Sequence, residues 1–224
     1  MSLRKVPLVT GEFYHIYNRG NSKQKIFHSP EHYERFMALL YLANGTTPWE
    51  VRHLAQNQMY DFDRGEQQVA IGAYCMMPNH FHILLTPLSD TGVGYFMKKL
   101  ATGYSMYFNT KHHRTGSLFE GRYKSEHAGD DRYLKYLFAY IHLNPIKLFQ
   151  SDWRDVGLHD VAGAQSFLDS YQYSSYFDTK IDRPESVILN REKFPNYFAT
   201  KSDLNSEMLD WLTFPIPDRT KRPR

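Results

Sequence analysis

The sequence predicts an α+β fold, a sandwich of the ferredoxin-like type in which an antiparallel sheet carries helices packed on one face. Two observations predict it. Aromatic and β-branched runs alternate with segments of helical periodicity, in the order strand, helix, strand, strand, helix, strand, helix. The two central strands are separated only by Pro78-Asn79, a turn signal that indicates a β-hairpin.

The first part of this pattern contains one strand, one helix and a long polar connection. Residues 12–18 read EFYHIYN and predict a strand. Ser29 and Pro30 are favoured at a helix N-cap and first turn, so a helix is expected to begin there. Residues 44–67 are polar and predict an insertion, with one short helix around Trp49–Gln58.

The second part supplies the other strands and two helices. Apolar runs predict the hairpin strands, helical spacing of apolar residues predicts a long helix, and Asp130-Asp131 is expected to cap a later helix that ends at Asn144-Pro145. A loop leading into a strand should lie between these helices. The predicted ranges are 68–77, 80–86, 92–111 and 117–127. Residues 151–224 are loop-rich and predict a C-terminal extension with short helices and a loose tail, following a main unit at 1–150.

Composition is that of an ordinary globular chain with a mild positive bias. The formal net charge is +3 and aromatic residues make up 16% of the chain. These aromatics predict either core packing or stacking against unpaired bases. The single cysteine excludes an internal disulfide. No apolar run reaches the roughly 20 residues of a membrane helix, and the N-terminus does not resemble a signal peptide. We therefore expect a cytoplasmic protein.

Positive charge is concentrated between Lys98 and Lys124. Six lysines and arginines lie in this stretch, against the one acid Glu120. Such a local excess attracts phosphate, although a solvated charged face is the simpler alternative.

The sharpest local signal is His80-Phe81-His82. Side chains alternate along a strand, so both imidazoles should point to one face while Phe81 points into the core. Two such imidazoles could bind one divalent metal ion, because histidine is a frequent metal ligand. A pair of surface histidines, or of buried histidines with hydrogen-bond partners, is the alternative interpretation.

Three motifs in order carry a resemblance to a known family. They are MPNHFHILL at the hairpin, GSLFEGRYKS before the fourth strand, and YLKYLFAYIHLNPIK in the last helix. Together they resemble the HUH superfamily (His, hydrophobic, His), specifically the single-tyrosine transposases, and most of all the REP-associated tyrosine transposases. The resemblance covers about residues 10–150, so 1–150 is expected to be an HUH transposase-like catalytic domain.

The resemblance implies a metal-dependent single-strand DNA endonuclease and strand transferase. Mg²⁺ or Mn²⁺ would be held by His80, His82 and Asn144. Tyr140 would attack the scissile phosphate and form a 5′-phosphotyrosine, which a 3′-OH reverses to rejoin strands during transposition and DNA recombination. Tyr136, one turn earlier, is the main competing nucleophile.

The resemblance also implies single-stranded or hairpin DNA as the partner, with the protein a monomer or homodimer. Arg122 and Lys124 alternate on the fourth strand and are expected to contact the DNA backbone. The other candidate DNA-binding residues are Arg114, Lys99 and Arg19. Two rival functions stay open: a non-catalytic single-strand nucleic-acid binding module on the same fold, and a metal-dependent phosphoesterase that uses water.

Overall fold

The structure, a computed structural model, describes residues 8–50, 58–197 and 201–213. Its strands are β1 (Tyr14–Arg19), β2 (Val69–Met77), β3 (His80–Pro87) and β4 (Lys124–His127). Its helices are α1 (Pro30–Leu42), α2 (Gly92–Lys111), α3 (Asp131–His142), α4 (Ile146–Phe149), α5 (Trp153–Val156), α6 (Val161–Ser170) and α7 (Lys201–Thr213). The short helix expected around Trp49–Gln58 falls largely on residues 51–57, which lie outside the described residues.

The four strands form one sheet in the order β2-β3-β1-β4, and every neighbouring pair is antiparallel. Because the chain runs β1, α1, β2, β3, α2, β4, this order is that of a ferredoxin-like sandwich. The predicted α+β class is therefore confirmed.

Helices cover both faces of the sheet. Helices α1 and α2 pack on the face that carries Ile16, Phe81 and Ile83, as the sandwich prediction requires. Helix α3 packs against Leu84 and Cys75 on the opposite face, so the prediction that the helices share one face was wrong for this helix. Beyond its first residues, strand β3 is buried on both faces of the sheet. The face that carries Leu84 must therefore also pack against other elements, and α3 does so.

A β-bulge at Gly72 changes which residues of β2 face each side of the sheet. The register shifts between Ile71 and Ala73, so Ile71 and Tyr74 both face α1 and α2 although they are three residues apart. A Cβ atom at Gly72 would lie 2.7 Å from the ring of Phe194. Glycine is therefore required here by the close approach of that ring.

The chain after residue 150 folds back onto α3 and onto the outer edge of β2. Buried side chains of α6 and α7 pack against Ala139 and Leu143. Beside β2, the backbone amide of Ser175 donates to the carbonyl of Tyr74 at 2.9 Å. Helices of 4 to 13 residues lie in this part of the chain. Among the described residues, none of the helices combines the length and apolar character needed to cross a membrane.

Candidate active site

His80 and His82 lie at the beginning of β3 and point to the face covered by α3, while Phe81 is buried in the core on the other face. Their ring centroids are 5.0 Å apart. The Nδ1 atom of His80 lies 2.6 Å from Oδ1 of Asn79, so it carries the proton and donates. This hydrogen bond leaves the Nε2 lone pair of His80 available for another partner.

His82 is held by a third histidine. Its Nδ1 atom lies 2.8 Å from Nε2 of His15 on β1, and the two rings are stacked. Burial, together with the nearby His15, keeps the pKa of His82 well below its ordinary value. Burial, with Lys147 and Arg19 nearby, lowers the pKa of His80 to about 4. Both imidazoles are therefore neutral at pH 7, the form that binds a metal ion.

Tyr140 lies directly above these histidines. Helix α3 is capped by Asp130, whose side chain accepts the backbone N–H of Tyr133 at 2.7 Å. From there the helix crosses the sheet and brings the ring of Tyr140 to 5.6 Å from that of His82. Tyr140 is only 7% exposed. The guanidinium carbon of Arg154 lies 4.8 Å from its ring centroid, so a cation adjoins the phenol.

The competing tyrosines lie in other surroundings. The ring of Tyr136 is tilted against that of Tyr140 with the centroids 5.9 Å apart, and it also contacts Trp211 of α7. Tyr104 and Tyr107 belong to α2, on the opposite face of the sheet from His82, and the hydroxyl of Tyr104 donates to the carbonyl of Ile26. The ring contact with His82 thus favours Tyr140 over these other tyrosines.

Asn144 is completely buried just beyond the end of α3. Its Nδ2 atom donates to the carbonyl oxygen of Tyr140 at 2.8 Å, and its Oδ1 atom has no hydrogen-bond partner among the described residues. A buried amide oxygen of this kind normally has a partner. The described residues contain no group of three or more His, Cys, Asp or Glu side chains that could hold a metal ion. A metal site here would depend on an amide ligand, and two neutral imidazoles with an amide oxygen are a mixed set of nitrogen and oxygen donors that a divalent ion completed by water or phosphate can accept.

A basic cleft of about 420 Å³ opens beside His80. We call it the basic cleft; its lining includes Arg19, Lys23, Arg122 and Lys124. One acid, Glu120, also lines it and pairs with Arg19, with an Nη2–Oε1 distance of 2.8 Å. The sequence-predicted residues Arg19, Arg122 and Lys124 are therefore brought together next to the histidine pair.

Lys99 and Arg114 do not join the basic cleft. The Nζ atom of Lys99 donates to the carbonyl of Gly45 at 2.6 Å, which gives this lysine a structural partner on the α1 side of the sheet. Arg114 lies over the ring of Phe108 at 5.5 Å and lines a separate, open groove beside α2.

Sequence reasoning missed four polar residues around the candidate site. His15 contacts His82, and Glu126 on β4 lies beside His15. The pKa of the Glu126 carboxyl is held below its ordinary value, chiefly by His15. The charges of Lys147 and Arg154 reach His82. The sequence indicates that His15 and Tyr17 share one face of the first strand. Only the pairing of β1 with β3 shows that His82 lies on the same face of the sheet.

The family model described as "Transposase IS200 like" matches residues 11–144, more than half of the chain. This chain belongs to the IS200-like transposase family. The matched range contains both histidines of β3, Tyr140 and Asn144. Membership in this family supports a transposase-type function on DNA, and it confirms the family resemblance that the three sequence motifs indicated.

A search of curated proteins gave no significant match. Among solved structures, the chain is similar to one described as the REP-associated tyrosine transposase bound to a REP hairpin. The sequence identity is 12%, the TM-score is 0.48, and the match covers 89% of this chain and 92% of the other.

Proposed function

We propose that this IS200-like transposase nicks and rejoins single-stranded DNA, with Tyr140 as the nucleophile. The observation that carries the proposal is the approach of the Tyr140 ring to 5.6 Å from His82, on the face of the sheet that also bears His80. A phenol beside two neutral imidazoles and below a guanidinium is an arrangement suited to attack on phosphate.

In the proposed reaction, the phenolic oxygen of Tyr140 forms a bond to phosphorus and the bond from phosphorus to the 3′ oxygen breaks. The phenol loses its proton and the departing 3′ oxygen gains one, so the products are a 5′-phosphotyrosine and a free 3′-OH. Attack by a 3′-OH reverses the step and releases the tyrosine. The nearby cations Arg154 and Lys147 favour the phenolate and the charged phosphate.

His80, His82 and Asn144 are the residues we propose for holding Mg²⁺ or Mn²⁺. When bound, the ion supplies Lewis-acid polarisation of a phosphate oxygen. The orphaned Oδ1 atom of Asn144 and the available Nε2 atom of His80 support this assignment. All proposed groups belong to one chain, so the site needs no residue from a partner, and either a monomer or a homodimer is compatible with it.

The basic cleft is the proposed path of the DNA strand, single-stranded or flanking a hairpin. Arg19, Arg122 and Lys124 would contact successive phosphates next to His80. We propose residues 1–150 as the catalytic domain, with 44–67 as an insertion and 151–224 as its extension, acting on DNA in the cytoplasm.

The test is covalent capture of DNA. The full chain is incubated with Mn²⁺ and labelled hairpin oligonucleotides with single-stranded flanks, and adducts are resolved on a denaturing gel. We expect an adduct with the wild type and with Tyr136→Phe, and none with Tyr140→Phe. Tyr136→Phe is the matched control because it removes one hydroxyl from the same helix.

Other outcomes would redirect the proposal. An adduct that persists in Tyr140→Phe and disappears in Tyr136→Phe would assign the nucleophile to Tyr136. Release of free 5′-phosphate without an adduct would indicate hydrolysis by water. Tight DNA binding with neither product would indicate a binding module.

A further inference from the structure

Two buried imidazoles face each other beside the candidate nucleophile. His15 and His82 are 1% and 7% exposed, and their Nε2 and Nδ1 atoms are 2.8 Å apart. At that distance one nitrogen must donate and the other must accept. The ring of His15 also lies 5.8 Å from that of Tyr140. The protonation pattern of His15 therefore decides which nitrogen of His82 is available.

The surroundings of His15 favour one pattern. Its other nitrogen, Nδ1, lies 3.9 Å from a carboxylate oxygen of Glu126, an electrostatic contact beyond hydrogen-bond length. A carboxylate attracts the proton of His15 to Nδ1. Nε2 of His15 then accepts, Nδ1 of His82 donates, and Nε2 of His82 is left with its lone pair. Partners of this kind orient metal-binding histidines in general.

Glu126 also links the sheet to the helix that carries Tyr140. The hydroxyl of Tyr17 on β1 donates to Oε1 of Glu126 at 2.9 Å. The hydroxyl of Tyr133 donates to Oε2 at 3.3 Å. Tyr133 precedes Tyr140 by two turns of α3 and lies on the same face of that helix. One carboxylate thus contacts the histidine pair and the nucleophile's helix.

We propose that His15 and Glu126 are positioning residues for the reaction. They hold His82 in the tautomer that presents Nε2, and through Tyr133 they fix α3 above it. This inference rests on the proposed function, because it assigns the pair a role toward the same metal ion and the same nucleophile. An apolar pair would fill the space of His15 and His82 without the cost of burying two imidazoles.

The test measures Mn²⁺ binding without DNA. Free Mn²⁺ is followed by electron paramagnetic resonance in titrations of the full chain and its variants. His15→Phe keeps a stacking ring but cannot accept from His82, and we expect it to weaken Mn²⁺ binding about 10- to 100-fold. His15→Gln restores an acceptor, so its affinity should return to within a few-fold of the wild type.

Glu126→Gln is the second variant. It tests the positioning role even if His15→Phe fails to fold. The amide oxygen can accept from one tyrosine hydroxyl and the NH₂ group can donate to the other, but the charge is lost, so Mn²⁺ affinity should fall while the metal-free melting temperature changes little. Tyr17→Phe, which leaves the charge in place, is the matched control and should bind Mn²⁺ like the wild type.

The positioning role of His15 and Glu126 and the proposed DNA cleavage can be refuted separately. Wild-type Mn²⁺ affinity in both His15→Phe and Glu126→Gln would overturn the positioning role even if DNA adducts form normally. Equal loss in His15→Phe and His15→Gln would also overturn it, since a packing defect alone would give that result. Loss of Mn²⁺ affinity as expected, in a protein that forms no adduct, would support the pair and refute the proposed DNA cleavage.

Discussion

The side-chain amide of Asn144 donates a 2.8 Å hydrogen bond to the backbone carbonyl of Tyr140. The two residues are four positions apart, so this bond closes one turn at the end of α3. It also fixes the amide orientation, since Nδ2 is committed to the carbonyl and Oδ1 must face elsewhere. The proposed nucleophile and the proposed third metal ligand are thereby tied together.

Replacements of Asn144 should have distinguishable effects on the stability of the metal-free protein and on its response to Mn²⁺. In Asn144→Ala the lost hydrogen bond should lower the free energy of unfolding by about 1 kcal/mol. The rise in melting temperature caused by Mn²⁺ should disappear. In Asn144→Asp a carboxylate would face the Tyr140 carbonyl, so a larger loss of stability is expected without metal. Thermal unfolding with and without Mn²⁺ checks both. An unchanged Mn²⁺ response in Asn144→Ala would contradict the ligand assignment.

Removing the charge of Glu120 should strengthen DNA binding, because this carboxylate occupies Arg19 and repels phosphate within the basic cleft. We expect Glu120→Gln to bind single-stranded DNA more tightly and Arg19→Gln to bind it more weakly. Fluorescence anisotropy over a range of salt concentrations is the measurement. The salt slope of Arg19→Gln should decrease by about 0.7 for one lost contact to a single strand. Equal affinity of both variants would exclude Arg19 from the interface.

Lys99 and Lys124 should behave differently although both were predicted to contact DNA. Lys99→Met removes the hydrogen bond to Gly45 and should lower the melting temperature while leaving DNA affinity unchanged. Lys124→Met removes an exposed charge from the basic cleft and should lower affinity without changing the melting temperature. Each variant is the control for the other. A larger loss of affinity in Lys99→Met than in Lys124→Met would move the interface to α2.

Stability should decrease as the pH falls below about 6.5, the ordinary pKa of histidine. Burial lowers the pKa of His32 to about 4 and that of His142 to about 3. Below 6.5 the unfolded chain binds protons that the folded chain does not, so stability is lost as the pH approaches these lower values. Above that pH both states are neutral and these groups have no effect.

Melting temperatures at about pH 7.5 and about pH 5 measure this loss. His32→Gln should show a smaller decrease, because glutamine can hydrogen-bond to His112 in place of the imidazole but does not titrate. Identical melting temperatures of the wild type at both pH values would contradict the prediction.

Local patterns were sufficient to predict most of the fold. Helix α2 was predicted at 92–111 and lies there, because its apolar residues recur at helical spacing and face one core. The location of α3 was not predictable in this way. Its periodicity shows that one face is buried, but not which side of the sheet covers it. The bulge at Gly72 is marked in the sequence only by a lone glycine in an apolar run, which suggests a bulge but does not assign the residues of β2 to the two faces.

The residues of the candidate site were likewise predictable only where they lie close together in the sequence. His80 and His82 could be paired from the sequence because they share one strand and its two-residue period. His15 and Glu126 reach them only through pairing of β1 with β3 and β4, which no local pattern encodes. Lys99 was predicted to contact DNA together with other basic residues and lies apart from the basic cleft. Nearness in sequence to such residues does not show on which side of the sheet a helix lies.

The outer edge of β2 is covered by the chain that follows α3. The amide of Met76 donates to the carbonyl of Tyr173 and the amide of Ser175 to that of Tyr74. A fragment cut at residue 144, where the family match ends, would expose this strand edge together with the space now filled by Phe194. Bare edges of apolar strands recruit other chains and aggregate. We therefore expect the segment matched by the family model to aggregate unless the chain after residue 144 covers this edge.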